Sequence, residues 1–287
     1  MKIGLALSGG GIRGVAHAGV LKAFEDSDIK VDIIGGTSSG SMVAVLYAMG
    51  YSPYYIYLLF KRNAEKIAKT NITPFFRSFN KIGNNKNTVT GMKSGIEIEE
   101  LYDVLAKKKN INNVNQIKIP IVIPSVELIQ RKEFIFTNNI PNEKSDKNIE
   151  YIDNISIGKM IRASSSFPAV FSPCNFNEYI FMDGGILDNV PVNEVKKQGA
   201  DVTISVTFEA EKIDTESGFM DLAMKTIDIM GNKISEDNLK ESDLNLEIYT
   251  DKVGLLDTKK LDKCFEYGYL CTMNKMNEIK NIIKQKN

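Results

Sequence analysis

Lys2-Ile3-Gly4-Leu5-Ala6-Leu7-Ser8-Gly9-Gly10-Gly11-Ile12-Arg13-Gly14 opens the chain with an aliphatic run that breaks into glycines. A second run, Val31-Asp32-Ile33-Ile34, breaks the same way into Gly35-Gly36-Thr37-Ser38-Ser39-Gly40. Each apolar run has the length and side-chain character of a buried strand, and each glycine segment leads into a helix-like stretch. Strand, sharp turn and helix in that order is the setting in which a nucleophile elbow exposes a serine. The first glycine segment supplies backbone N–H donors with no Cβ in the way; the second supplies Ser38. Far downstream, Tyr179-Ile180-Phe181-Met182 reads as a strand running into Asp183-Gly184-Gly185, which puts an acid at a strand end where it could face the serine.

Outward from these turns, strand and helix patterns alternate. The sequence predicts strands over 2–7, 31–35, 119–127, 133–137, 179–183, 201–207 and 245–250, and helices over 14–26, 39–49, 52–69, 96–108, 156–162, 192–198, 219–238 and 259–284. Such alternation implies a three-layer α/β/α fold with a mainly parallel central sheet. The length of 287 residues and a hydrophobic content of 43% suit one sizeable domain over 1–287. No internal repeat or linker interrupts it, and the polar stretch Asn138 to Asn154 reads as an excursion.

A serine nucleophile needs a base, and the usual base is an imidazole held by a carboxylate. The chain has one histidine, His17, in the run Val15-Ala16-His17-Ala18-Gly19-Val20. Small apolar neighbours point to a half-buried histidine bonded to a backbone carbonyl. Without it the serine proton must pass to a carboxylate, and Asp183 is the best candidate. Its ordinary pKa of about 3.9 leaves it ionised at neutral pH, and burial would raise that value. Asp188 and Asp32 are rivals; Asp188 reads as a group that bonds the loop before Pro191. Ser39, Ser41 and the run Ser164 to Ser166 read as capping or loop-bonding hydroxyls.

These residues resemble the patatin-like phospholipases, whose hallmark is a Ser/Asp dyad in place of a triad. The resemblance covers most of the chain. Gly9, Gly10, Gly11, Arg13 and Gly14 match the family's glycine-rich loop, Gly36, Ser38 and Gly40 its elbow, and Asp183, Gly184 and Gly185 its aspartate turn. Arg162-Ala163-Ser164-Ser165-Ser166-Phe167-Pro168-Ala169-Val170-Phe171-Ser172-Pro173 looks like the segment that precedes the aspartate strand, and Asn189-Val190-Pro191-Val192 also fits. The resemblance implies that Ser38 and Asp183 are catalytic and that the Gly10 and Gly11 amides form the oxyanion hole, with Gly9 shaping the turn. Arg13 would orient the loop or meet an anionic phosphate, and taken alone it reads equally as a surface arginine. It further implies a phospholipase A, lysophospholipase or esterase acting on lipid esters through an acyl-serine, with no metal or organic cofactor; an acyltransferase using the same dyad is the near alternative.

A dinucleotide-binding protein is the alternative from a different class, because a strand leading into G-x-G-x-x-G also begins a βαβ nucleotide unit. That fingerprint expects an acid at the end of the second strand. Here Asp32 stands at its start, and nothing in that reading accounts for Ser38 or Asp183.

The formal net charge is zero, which gives no global bias toward nucleic acid. Cys174, Cys264 and Cys271 read as core thiols of a reducing compartment, and no apolar run reaches 18 residues. With the first strand beginning at Lys2, the expected location is the cytoplasm, with peripheral contact at membranes. Between Lys61 and Gly95 eight basic residues, Lys61, Arg62, Lys66, Lys69, Arg77, Lys81, Lys86 and Lys93, stand against Glu65 alone, interleaved with Phe75, Phe76 and Phe79. This stretch reads as a solvated loop, or else as a docking surface for anionic lipid. On the helix 219–238, Phe219, Met220, Ala223, Met224, Ile227, Met230 and Ile234 form an apolar stripe expected mostly in the core, with one or two methionines available to an acyl groove.

Overall fold

A computed structural model describes residues 1–69, 94–142, 147–168, 170–209, 219–251, 253–254 and 257–286. The first aliphatic run forms β1 (Ile3–Leu7), followed by helix α1 (Val15–Asp26), β2 (Ile33–Gly36), α2 (Ser39–Ala48), α3 (Pro53–Lys69) and α4 (Ile96–Lys108). Three strands come next, β3 (Ile121–Glu127), β4 (Lys132–Phe136) and β5 (Ile149–Ile152), and then α5 (Ile157–Ser164). A hairpin of β6 (Cys174–Phe176) and β7 (Tyr179–Asp183) leads to α6 (Val192–Lys197), β8 (Val202–Phe208), α7 (Phe219–Lys240), β9 (Leu244–Ile248) and α8 (Leu261–Lys286).

The sheet runs β5-β4-β3-β2-β1-β8-β9, and the five strands from β3 to β9 along it are parallel. Period-two alternation sorts their side chains between two cores. Leu5, Leu7 and Ile34 face a large cluster built with α1, α2, α4, α5 and α8, while Ala6, Ile33 and Val122 face a smaller one built with Val192 and Val195 of α6. The three-layer α/β/α arrangement is therefore present, with one thick helical layer and one thin one.

At β3 the sheet changes direction, and this positions the site. The first part of β3 pairs in parallel with β2, Gly35 opposite Val122, and its last part pairs antiparallel with β7, Asp183 opposite Ser125. The antiparallel β4 occupies the other edge of β3. So β2 and β7 lie end to end along one edge, running toward each other, and their C-terminal ends converge. Val122 and Ser125 are three residues apart, roughly 10 Å of extended chain, a gap that the turn after β2 fills.

Two strands depart from the sequence expectation. β5 lies inside the polar stretch read as an excursion, where Ile149 and Tyr151 pack on the smaller core. β6 is three residues long, too short for a periodic signal. The apolar stripe on α7 is also corrected: Met230 and Ile234 are 57% and 46% exposed, and Leu222 and Ile229 are exposed beside them. The inward face of that helix is taken instead by Gly231, Asn232, Ser235 and Asn238, which meet the loop after β7. The side chains of Phe219, Met220, Ala223 and Met224 lie outside the described residues, as do those of Lys66 and Lys69 and all of 70–93, including Arg77, Lys81, Lys86, Lys93 and the three phenylalanines. Cys174 and Cys264 are buried free thiols and Cys271 is half-buried. Among the described residues no helix is long and apolar enough to cross a membrane.

Candidate active site

Ser38 sits between β2 and α2 with φ +52°, a left-handed conformation that costs a non-glycine residue energy and that surrounding structure must enforce. The enforcement is visible. A Cβ on Gly36 would lie 2.5 Å from the Gly40 backbone, so the turn closes on itself only with glycine there. The Ser38 amide donates to Ser164 Oγ at 3.3 Å, and the Ser38 carbonyl accepts from Ser41 Oγ at 2.6 Å and Ser165 Oγ at 3.4 Å. The serine run at the end of α5 thus grips the elbow from both sides of Ser38, a more specific form of the loop-bonding role expected for it. Ser41 donates at the start of α2 as expected, whereas Ser39 Oγ is buried with no hydrogen-bond partner among the described residues.

Asp183 ends β7, and its own amide donates to the Ser166 carbonyl at 3.1 Å, so one short run holds both converging chain ends. Its Oδ1 accepts from the Gly185 amide at 2.9 Å, while Oδ2 is buried and has no hydrogen-bond partner within 3.5 Å among the described residues. Burial pushes the carboxyl up to about 7, against the opposing pull of the Ser38 hydroxyl and the Gly185 amide. The Ser38 hydroxyl is therefore near enough to act on the carboxylate without being locked to it. A carboxylate with a pKa near 7 is a far better proton acceptor than an ordinary one and is still substantially ionised at neutral pH.

His17 takes no part in this arrangement. It is fully buried on α1, its Nε2 donates to the Ser8 carbonyl at 2.8 Å, and its ring packs 4.9 Å from that of Phe208. Burial lowers its pKa to about 4, partly offset by the Ser8 bond, so the ring is neutral. The backbone-carbonyl bond expected from sequence is present, although the residue is wholly rather than partly buried. Asp188 is likewise a loop-bonding group: its Oδ1 accepts from the Val190 amide and Asn238 Nδ2, both at 3.2 Å. Asp32 accepts from the Ile3 amide at the far end of β2 and pairs with Lys30.

The glycine loop leaves the end of β1 beside Ser38, where a Cβ on Gly9 would lie 3.3 Å from the Ser38 Cβ. No described residue accepts a hydrogen bond from the Gly10 or Gly11 amide, and Gly11 has φ +58°. Arg13 is 1% exposed, which removes the expectation that it meets a phosphate: its Nε donates to the Gly10 carbonyl at 3.3 Å and its Nη2 lies 3.5 Å from Asp228. The Arg13 amide also donates to that carbonyl, at 3.2 Å. Because the peptide bond is planar and trans, holding the Gly10 oxygen one way points the Gly11 N–H the other way. Asn189, quoted in sequence only as part of a matching segment, proves to be a support of the loop: its Oδ1 and carbonyl both accept from the Gly9 amide, at 3.1 and 3.2 Å.

Ser38, Asp183 and the three glycines line one cavity of about 430 Å³. Its walls are otherwise largely apolar, with Met42 and Leu46 from α2, Leu59 and Phe60 from α3, Ile98, Leu101 and Leu105 from α4, and Phe167, Val170 and Phe171 from the segment after α5. Of the α7 stripe only Ile227 reaches it among the described side chains. No cluster of His, Cys, Asp and Glu among the described residues could hold a metal ion.

The sequence matches the pattern of the patatin-like phospholipases over residues 5–196, and the chain belongs to that family. It is 33% identical over 205 residues to lysophospholipase NTE1 of Meyerozyma guilliermondii, covering 71% of this chain and 12% of that protein, and 33% identical to the Candida albicans protein of the same name, covering 71% and 13%. The chain thus spans about an eighth of the length of these relatives. Among solved structures, VipD from Legionella pneumophila superposes with a TM-score of 0.52 at 14% identity, covering 96% of this chain and 67% of that one. Human GIVD cytosolic phospholipase A2, in complex with methyl gamma-linolenyl fluorophosphonate, superposes with a TM-score of 0.50 at 11% identity, covering 99% and 58%. At these identities the likeness is one of fold.

Proposed function

We propose that this chain is a lipid acyl hydrolase in which Ser38 is the nucleophile and Asp183 the base, and in which residues 1–287 act as one domain. The observation that carries the reading is the convergence of an elbow serine and a buried carboxylate on one largely apolar cavity. Ser38 Oγ attacks the ester carbonyl carbon as its proton passes to Asp183 Oδ2. The tetrahedral oxyanion is stabilised by the Gly10 and Gly11 amides, which no described residue engages, each worth about 3 kcal/mol where such donors have been measured. Collapse expels the alcohol, which takes the proton back from Asp183 and leaves an acyl-Ser38. Water then attacks the acyl carbon and gives a proton to Asp183; as the acyl–Oγ bond breaks that proton returns to Ser38, and the fatty acid departs. The apolar walls suit the acyl chain, since each methylene removed from water contributes about 0.8 kcal/mol. The matched relatives bear the name lysophospholipase, which supports a lipid ester as substrate.

The test is mass spectrometry after treatment with a fluorophosphonate, followed by a lipid panel with and without an alcohol acceptor. We expect a single adduct on Ser38 and release of free fatty acid, both lost in Ser38→Ala. Acyl transfer to the added alcohol in place of fatty-acid release would make the chain an acyltransferase. Absence of both adduct and ester cleavage, together with tight NAD or FAD binding in calorimetry, would overturn the reading.

A further inference from the structure

The loop and the base are held from outside the part of the chain that matches the family. That match ends at residue 196, whereas α7 begins at Phe219. Asn232 Oδ1 on α7 accepts from Asn189 Nδ2 at 3.0 Å, and the fully buried Ser235 Oγ accepts from the Asn189 amide at 3.1 Å while donating to the Gly231 carbonyl at 2.9 Å. Asn189 is in turn the residue that holds the Gly9 amide through two acceptors. At Gly231 the helix comes so near the aspartate turn that a Cβ would lie 2.7 Å from the Gly185 carbonyl, and the Gly185 amide is the one bonded to Asp183. One helix therefore touches the supports of both the loop and the base.

We infer that Asn232 and Ser235 are positioning residues: they fix the Asn189 side chain and backbone, and through it the direction in which the Gly10 and Gly11 amides point. The inference rests on the proposed hydrolase reading. An asparagine amide can present either its oxygen or its NH2 group to a neighbour. Gly9 N–H requires the oxygen of Asn189, and an acceptor on Asn232 holds the amide that way round. With Asn232 made apolar, the Asn189 side chain is free to rotate, and the Gly9 amide loses one of the two acceptors that fix the loop beside Ser38. Misplacement of reacting groups by about 1 Å costs on the order of 100-fold in rate.

The experiment uses the full chain and a short soluble p-nitrophenyl ester. Asn232→Leu should lower kcat by about 10- to 100-fold with KM unchanged, and the rate of Ser38 phosphonylation should fall in step, because the phosphonyl oxygen needs the same amides. Asn232→Asp keeps an acceptor and should retain most of kcat. Asn189→Ala combined with Asn232→Leu should lose no more than Asn189→Ala alone, as expected for residues acting in series. If Asn232→Leu melts out, Ser235→Ala carries the same expectation. Wild-type kcat in a folded Asn232→Leu protein, with Ser38→Ala inactive, would overturn the inference, as would equal impairment of the Leu and Asp variants. Failure of the hydrolase reading itself would show differently, as a wild-type protein with neither ester cleavage nor a Ser38 adduct.

Discussion

Replacing Asp183 by Asn separates the cost of the site from its use. The carboxyl is held at about 7 by burial, against 3.8 for the free group. Below pH 3.8 it is protonated whether the chain is folded or not. Between 3.8 and 7 the unfolded chain releases the proton while the folded chain keeps it, so stability falls as pH rises; above 7 the loss is complete. Raising the pKa from 3.8 to about 7, at about 1.4 kcal/mol for each pH unit between them, destabilises the folded state by about 4 kcal/mol at pH 8. Asparagine stands in for the protonated acid at every pH and carries no such penalty. Urea unfolding of the two proteins should therefore diverge with pH, Asp183→Asn gaining about 1.4 kcal/mol relative to wild type per pH unit between 4 and 7 and levelling off above. In melting temperature the full effect is about 8 °C for a chain of this size. Asp188, also raised by burial, is present in both proteins and cancels. Hydrolysis should run opposite to stability: the wild-type rate rises about tenfold per pH unit up to a bend near 7, and the variant is inactive throughout. A stability difference that stays flat from pH 4 to 8 would refute the argument, since it would mean that Asp183 is not held away from water.

Three further outcomes follow from the same geometry. His17→Gln, which keeps a donor for the Ser8 carbonyl, should retain most of the hydrolysis rate once melting shows that it folds; a folded, inactive variant beside an active Asp183→Asn protein would restore a histidine mechanism. Gly36→Ala sets a Cβ against the Gly40 backbone, which has no flexible end to move, and should abolish activity and lower stability by about 1 to 3 kcal/mol, so a wild-type rate in that variant would contradict the elbow. Changing Lys81, Lys86 and Lys93 together to Glu should weaken hydrolysis of phosphatidylglycerol vesicles, in a salt-dependent way, while leaving a short soluble ester unaffected; wild-type rates of the triple variant on both substrates would make the segment an ordinary solvated stretch.

What could be read from the sequence, and what could not, divides along a physical line. Ser38 and Asp183 stand out because a sharp turn at a strand end needs glycines, and glycine clusters are visible in a one-dimensional string. His17 could be set aside for a related reason, since its small apolar neighbours leave room only for a packed ring. The reversal of direction at β3 was not visible, because β7 joins the sheet by pairing with residues far away in sequence and its own pattern does not say which way it runs. Asn189 carried no local signal either: its role depends on the Gly9 amide, 180 residues distant. The exposed stripe of α7 misled for the opposite reason. Apolar residues at helical spacing normally face a core, but here asparagine, serine and glycine hold the inner face because the loops beneath need hydrogen bonds and close approach more than they need apolar cover.

The pairing of β1 with β8 separates what is inherited together from what must fold together. The family match stops inside α6, yet the strand that delivers the glycine loop has one of its two neighbours beyond that point, and the Ser8 amide at the base of the loop donates to Val206 on that neighbour. A fragment trimmed to the recognisable residues would keep every group that the chemistry uses and lose the wall against which the loop is built. It would also turn a central strand into a raw edge, an open template for association with other copies. The recognisable signature of this chain is thus smaller than its smallest cooperative unit, and a minimal enzyme cut from it has to be drawn by sheet neighbours rather than by sequence likeness.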